Sequence, residues 1–153
     1  MIIHASIPAD DPQRVARVIA ELWRGTYAPF PIVPGVFTAR AGDERGTQIE
    51  VGPRGREAIP GEKQLGMQVN PAPSPYSEVH LNIFSPLSEA EIFAIAKREG
   101  WKALPCDRGG VFKLIEFWLE NKFMLEVMNE HEWARYKTWD HQGAPVGPPG
   151  PRV

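Results

Sequence analysis

The feature that most constrains this chain is that it repeats itself. Shifted by 76 residues, Ile3-His4-Ala5 falls on Val79-His80-Leu81, and Ile49-Glu50-Val51 falls on Leu125-Glu126-Val127. Ile19-Ala20 then overlies Ile95-Ala96, and the segment from Val36 overlies the one from Phe112. One offset shared by several elements means that the two halves are copies of one supersecondary unit, each burying an equivalent face.

Periodicity describes that unit. Ile2 to Pro8 alternates as a strand does, and Asp10 or Asp11 can cap a helix that has Pro12 in its first turn. Val15, Val18, Ile19 and Leu22 repeat at helical spacing until Gly25. Strands are expected from Val36 to Arg40 and from Thr47 to Val51, around a Gly42–Gly46 turn. The second half reads alike: a strand from Glu78 to Phe84, a helix from Ser88 to Trp101 with Ser88 and Glu91 as a capping box, and a strand near Lys102 to Pro105. A hairpin follows, with arms Val111–Leu119 and Lys122–Met128 turning at Glu120-Asn121, and then a short helix from Asn129 to Trp139.

The fold class is therefore α+β, built from two tandem βαβββ modules. The expected boundaries are 1–52 for the first module, 53–77 for a Pro/Gly-rich connector and 78–129 for the second module. A C-terminal helix spans 130–142, and a Gly/Pro tail, 143–153, is expected to be flexible.

Composition narrows the partners. With 153 residues and 42% hydrophobic content the chain can build a real core. A formal net charge of −2 without a run of Lys or Arg argues against nucleic acid or an anionic membrane, which leaves a small-molecule substrate. Cys106 is the only cysteine, so no internal disulfide forms, and a reducing, cytoplasmic location is expected. No stretch approaches the roughly 20 apolar residues of a membrane span.

His4, Glu50, His80 and Glu126 are each a polar residue between apolar or small neighbours in a strand. Alternation sends them to the face opposite Ile3, Ala5, Ile49, Val51, Val79, Leu81, Leu125 and Val127, which should pack under the helices. Glu44 and Glu120 share the 76-residue offset but fall in turns. The four candidates share their face with Ser6, Gln48, Asn82, Met124 and Met128, and Phe37, Arg40 and Trp118 are further candidates to line it. Two neutral imidazoles and two carboxylates suit one divalent metal ion (Zn, Ni, Co, Mn or Fe), with coordination positions left for water or substrate. Elsewhere His131 and His141 read as surface residues, Cys106 as a structural thiol, and Arg14, Arg17 and Arg24 as the solvated face of the first helix.

A repeated βαβββ module with His on its first strand and Glu on its last resembles the vicinal oxygen chelate superfamily (glyoxalase I, bleomycin resistance protein, extradiol dioxygenase), and above all its glyoxalase I branch. The likeness covers nearly residues 1 to 128. It implies that His4, Glu50, His80 and Glu126 take the four ligand positions, and that the modules curl into a half-barrel cup closed within one chain or across a homodimer. It also implies a metal-dependent lyase or isomerase that chelates a small oxygenated metabolite and moves a proton by glutamate. Glu126 would be the catalytic base and Glu50 its symmetry-related partner. The alternatives within the superfamily are an Fe(II) extradiol-type dioxygenase using His4, His80 and Glu126, or a non-catalytic small-molecule-binding protein. The first helix begins Asp10-Asp11-Pro12-Gln13-Arg14-Val15 and lacks an aromatic-rich segment, which argues against glutathione recognition.

Overall fold

Side chains start the repeat's two helices where the sequence predicts. A computed structural model, describing residues 2–141, places α1 at Pro12–Trp23 and α2 at Glu89–Glu99. The Asp11 carboxylate accepts the Arg14 N–H at 3.0 Å, with Pro12 opening the helix. Ser88 and Glu91 form a reciprocal capping box, which satisfies N–H groups that have no partner within the helix. The end of α1 is subtler than its sequence. The left-handed residue is Arg24, with φ 53°, while Gly25 is needed for space, since a Cβ there would lie 1.9 Å from the Arg40 carbonyl oxygen.

The strands are β1 (His4–Ala9), β2 (Thr26–Pro29), β3 (Phe37–Arg40), β4 (Gln48–Pro53), β5 (Arg56–Pro60), β6 (Leu65–Val69), β7 (Leu81–Phe84), β8 (Ala103–Asp107), β9 (Lys113–Leu119) and β10 (Phe123–Met128), followed by α3 (Glu130–His141). One four-stranded sheet runs β1-β4-β3-β2 and the other β7-β10-β9-β8. In both, the first strand pairs parallel with the last, and the remaining pairs are antiparallel. This is the βαβββ module twice. The register keeps the offset, since Ser6 pairs with Glu50 and Asn82 pairs with Glu126.

Three segments depart from the sequence reading. Residues 53–77, read as a connector without persistent periodicity, contain the β5–β6 hairpin, whose prolines and glycines hid a short alternation. Strand β2 lies between the first helix and the Val36 strand, where no strand was expected, at a sheet edge where Pro29 gives up no required ladder bond. The strand expected from Glu78 starts only at Leu81, because the pairing with β10 ends at Leu81–Leu125 and Ser77 turns the preceding chain by accepting the Val79 N–H. The tail 143–153 lies outside the described residues, as does position 142 of the expected C-terminal helix. Among the described residues no helix is long and apolar enough to cross a membrane.

Both sheets bury their helix-facing residues in one core. It joins Ile7, Ile49 and Val51 of the first sheet to Phe117, Leu125 and Val127 of the second, with Val18, Ile19 and Leu22 of α1 and Ile92 and Ile95 of α2. Ile3 and Val79 were expected in it but are 41% and 64% exposed, because each precedes its strand.

The helix arginines also need correction. Arg14 and Arg17 donate to Glu99 at 2.7 Å each, and Arg98 donates to both Glu99 and Glu21. They face α2 across the boundary between the modules, and only Arg24 keeps a mainly exposed side chain, 3.4 Å from Glu91. Glu120, in the β9–β10 turn, accepts the backbone N–H groups of Asp10 and Asp11 at 2.7 Å, tying the second module to the start of α1.

Burial alone would push the Glu99 carboxyl up, but hydrogen bonds from Arg17, Arg14 and Arg98 outweigh it and hold the group at about 2, below its ordinary 4.5. A carboxylate depressed in the folded state stabilises above its unfolded value, and that stabilisation is lost as pH falls from about 4.5 through about 2. Urea unfolding should show Glu99→Gln destabilised by about 2 kcal/mol at pH 7. The difference from wild type should shrink as pH falls through that window; a constant difference would show that the charge is not what matters.

Candidate functional site

Alternation in the sheets builds the site. Ile49, Val51, Leu125 and Val127 enter the core, so Glu50 and Glu126 take the opposite face. On the first sheet Ser6, Glu50 and Thr38 lie in one cross-strand row, and His4, Gln48 and Arg40 in the next. On the second, Asn82, Glu126, Glu116 and Leu104 form a row, with Met124 and Trp118 paired beside it. Phe37, expected to line this face, instead packs against the core, one residue out of phase with Thr38.

His80 stands just before β7. Its Nε2 is 4.0 Å from Glu126 Oε2, and its Nδ1 lies 3.1 Å from the Glu78 carbonyl oxygen. The imidazole is 45% exposed and the Glu126 side chain 15%, so the pair opens to solvent. Asn82 donates to the same Glu126 oxygen at 3.4 Å. In the first module Glu50 accepts from Ser6 Oγ at 3.2 Å, and His4 is exposed at the start of β1. Each module thus presents one imidazole and one carboxylate on its outward face. The two pairs are on different sheets, and among the described residues no three His, Cys, Asp or Glu side chains converge as a metal-binding group.

Of the two pairs, His80 and Glu126 are near enough to share a divalent ion. Two ligands bound at about 2.0–2.2 Å stand roughly 3 Å apart, within one side-chain adjustment of the His80–Glu126 separation.

Sequence reasoning missed Arg108. Its guanidinium donates to Glu126 Oε1 at 2.7 Å and to Glu116 Oε1 at 3.4 Å. A search for matched positions could not find it, since the residue 76 earlier is Ile32. The helix expected at this end is present as α3, but its packing was not foreseen: Trp133, Tyr136 and Trp139 lie on Phe112, Leu114 and Met128. Leu114 and Met128 alternate with core residues, so α3 covers one end of the same face that carries Glu126. His131 is 76% exposed on its side chain, as expected, with Nδ1 2.9 Å from the Glu132 carboxylate.

No family model matches the sequence, and no curated protein matches it significantly. Solved structures do resemble it. A fosfomycin resistance protein from Mesorhizobium loti superposes with a TM-score of 0.53 at 13% identity, over 89% of this chain and 97% of that one. The trypanothione-dependent glyoxalase I of Leishmania major gives 0.50 at 15% identity, over 93% and 95%. At these identities the likeness shows the fold alone, which agrees with the two βαβββ modules expected from the repeat.

Cys106 shares the Glu116 and Glu126 face. Burial pushes its thiol up, and the Glu116 carboxylate that accepts its S–H adds to the rise. Glu116→Gln should therefore lower the thiol and speed iodoacetamide alkylation at pH 8 several-fold. Unchanged alkylation would mean that burial alone sets its reactivity.

Proposed function

We propose that the protein is a metal-dependent lyase or isomerase of the glyoxalase-like type, acting on a small oxygenated metabolite. One divalent ion would be held by His4, Glu50, His80 and Glu126, with the two pairs brought together across a homodimer. The observation that carries this reading is the common register, in which two modules place a carboxylate at the same strand position with a histidine at the entry to the neighbouring strand. Independent structural roles would not require both pairs to keep it.

Assembly from two copies is supported by the edges. β1 and β7 each have one unpaired side, and Ile2, Ile3 and Val79 beside them are 82%, 41% and 64% exposed. Unpaired edges with apolar neighbours are costly to leave open. Laying β7 of a second copy along β1 would satisfy the edges and set His80 and Glu126 opposite His4 and Glu50.

When bound, the ion would supply Lewis-acid stabilisation of negative charge on a substrate oxygen. The chain's own work is then proton transfer, in which a glutamate carboxylate takes the proton from carbon beside a carbonyl and returns it to the neighbouring atom. Glu126 would be the base and Glu50 its symmetry-related partner. A second carboxylate favours proton transfer over the two-His-one-carboxylate oxygenase alternative, which leaves Glu50 without a task.

Protein purified without chelators should carry about one divalent ion per chain and sediment as a dimer. His80→Ala and Glu126→Gln should each weaken cobalt(II) binding by about tenfold or more, because a ligand to the ion is lost. Folded variants with undiminished cobalt affinity would sink the four-residue site.

A further inference from the structure

We infer that a groove along α3 is the docking site of the chain's own proline-rich segment, residues 143–151, which folds back on the helix that precedes it. This holds whether or not a metal ion binds at Glu126.

The groove comes from the spacing of residues on α3. His131, Ala134, Arg135, Thr138 and Trp139 recur at intervals of three and four, so they share one helix face, and with Val111 of the β8–β9 turn they line a groove of about 480 Å³. Val111 is 38% exposed and Ala134 is exposed, so this apolar wall has no cover among the described residues. Trp139 stands at one end as a fixed platform, its ring centroid 5.5 Å from that of Phe112 and 6.0 Å from that of Tyr136. Arg135 donates to the Gly110 carbonyl at 2.8 Å and lies 3.4 Å from the Glu132 carboxylate. A guanidinium has five N–H groups, more than these contacts use, so donors remain for another backbone.

The sequence supplies the occupant. α3 ends at His141, and the chain continues Gln142-Gly143-Ala144-Pro145-Val146-Gly147-Pro148-Pro149-Gly150-Pro151. Prolines 145, 148 and 151 recur at every third residue, and a polyproline II strand has three residues per turn, so their rings share one edge. Such a strand leaves its carbonyls unbonded and is recognised by aromatic-lined grooves. Trp139 offers the aromatic face and Arg135 the donors.

The lengths agree as well. From Trp139 back to His131 the helix rises roughly 12 Å, which a polyproline II strand covers in about four residues. Gln142-Gly143-Ala144 is long enough to reverse the chain between antiparallel elements, and Gly143 tolerates the left-handed backbone that ends helices. Pro145 then falls on Trp139, and Pro148, roughly 9 Å further on, falls near Ala134 and Val111. A segment tethered at the mouth of the groove is present at an effective millimolar concentration, which favours it over a separate peptide. Once docked, it ties α3 to the β8–β9 turn and holds shut the end of the outward face that α3 covers.

The test is NMR of the isotope-labelled full chain. Ring protons of Pro145 should lie well upfield of free-chain values, because the Trp139 indole shields them. Pro148 should show nuclear Overhauser contacts to Ala134 and Val111 that do not change on dilution. Trp139→Leu should abolish the upfield shift, and Ala134→Glu, a change at an exposed position, should abolish the Pro148 contacts. Circular dichroism and the Phe112–Tyr136 ring contact establish that α3 stays in place in each variant. Free-chain proline shifts in the wild type overturn the inference, and so do shifts and contacts that survive both substitutions in folded protein, since the prolines then pack elsewhere. Contacts that fade on dilution overturn it in favour of the same segment of a second copy.

Discussion

The arrangement depends on one buried carboxylate. Glu99 ends α2 with only 4% of its side chain exposed, and it is held by Arg14 and Arg17 of α1 and by Arg98 of its own helix. A buried charge without partners would be prohibitive, so this position admits one relative placement of the two helices. Arg24 meets Glu91 near the start of α2 while Arg14 meets Glu99 at its end, which sets the helices antiparallel. With the helices locked, the covered faces of both sheets share one core, and the faces carrying His4, Glu50, His80 and Glu126 look away from it.

Much of this was legible because two periods in the sequence coincide. Alternation told which strand residues leave the core, and the 76-residue offset told which of them occupy equivalent positions, so Glu50 and Glu126 stand where that logic put them. Capping chemistry at Asp11 and Ser88 was legible for the same reason, since it is local. What escaped was what depends on contact between modules. Arg14 and Arg17 look like an ordinary polar helix face until α2 presents Glu99, and Glu120 looks like a turn residue until Asp10 and Asp11 donate to it. The β5–β6 hairpin escaped for another reason: a short two-stranded ribbon rich in Gly and Pro carries almost no periodic signal.

The two halves differ on the face that each turns away from the core. Opposite Glu126 the second module has Glu116, where the first has Thr38 opposite Glu50, and the buried Thr38 hydroxyl has no hydrogen-bond partner among the described residues. The second face is further covered at one end by the aromatic side chains of α3, for which the first half has no equivalent. Duplicated donors on unlike surroundings are what a site needs when it must treat the two ends of one small molecule differently. Identical halves would present the same environment to both ends.

The bare surfaces belong to the same argument. Leu65, Met67 and Val69 alternate along one side of β6 and are 67%, 53% and 81% exposed, while their partners across the ribbon are Pro60, Ala58 and Arg56. A two-stranded ribbon gains little stability by itself, and an apolar row on it gains none while facing water. The ribbon follows the strand that carries Glu50 and leads towards the one beside His80, so it is tethered to both donor pairs. The exposed apolar residues at the open edges of β1 and β7 are tied to the same pairs. Open strand edges and the two imidazole–carboxylate pairs thus occur together, so an association that covered the edges would also cover the pairs.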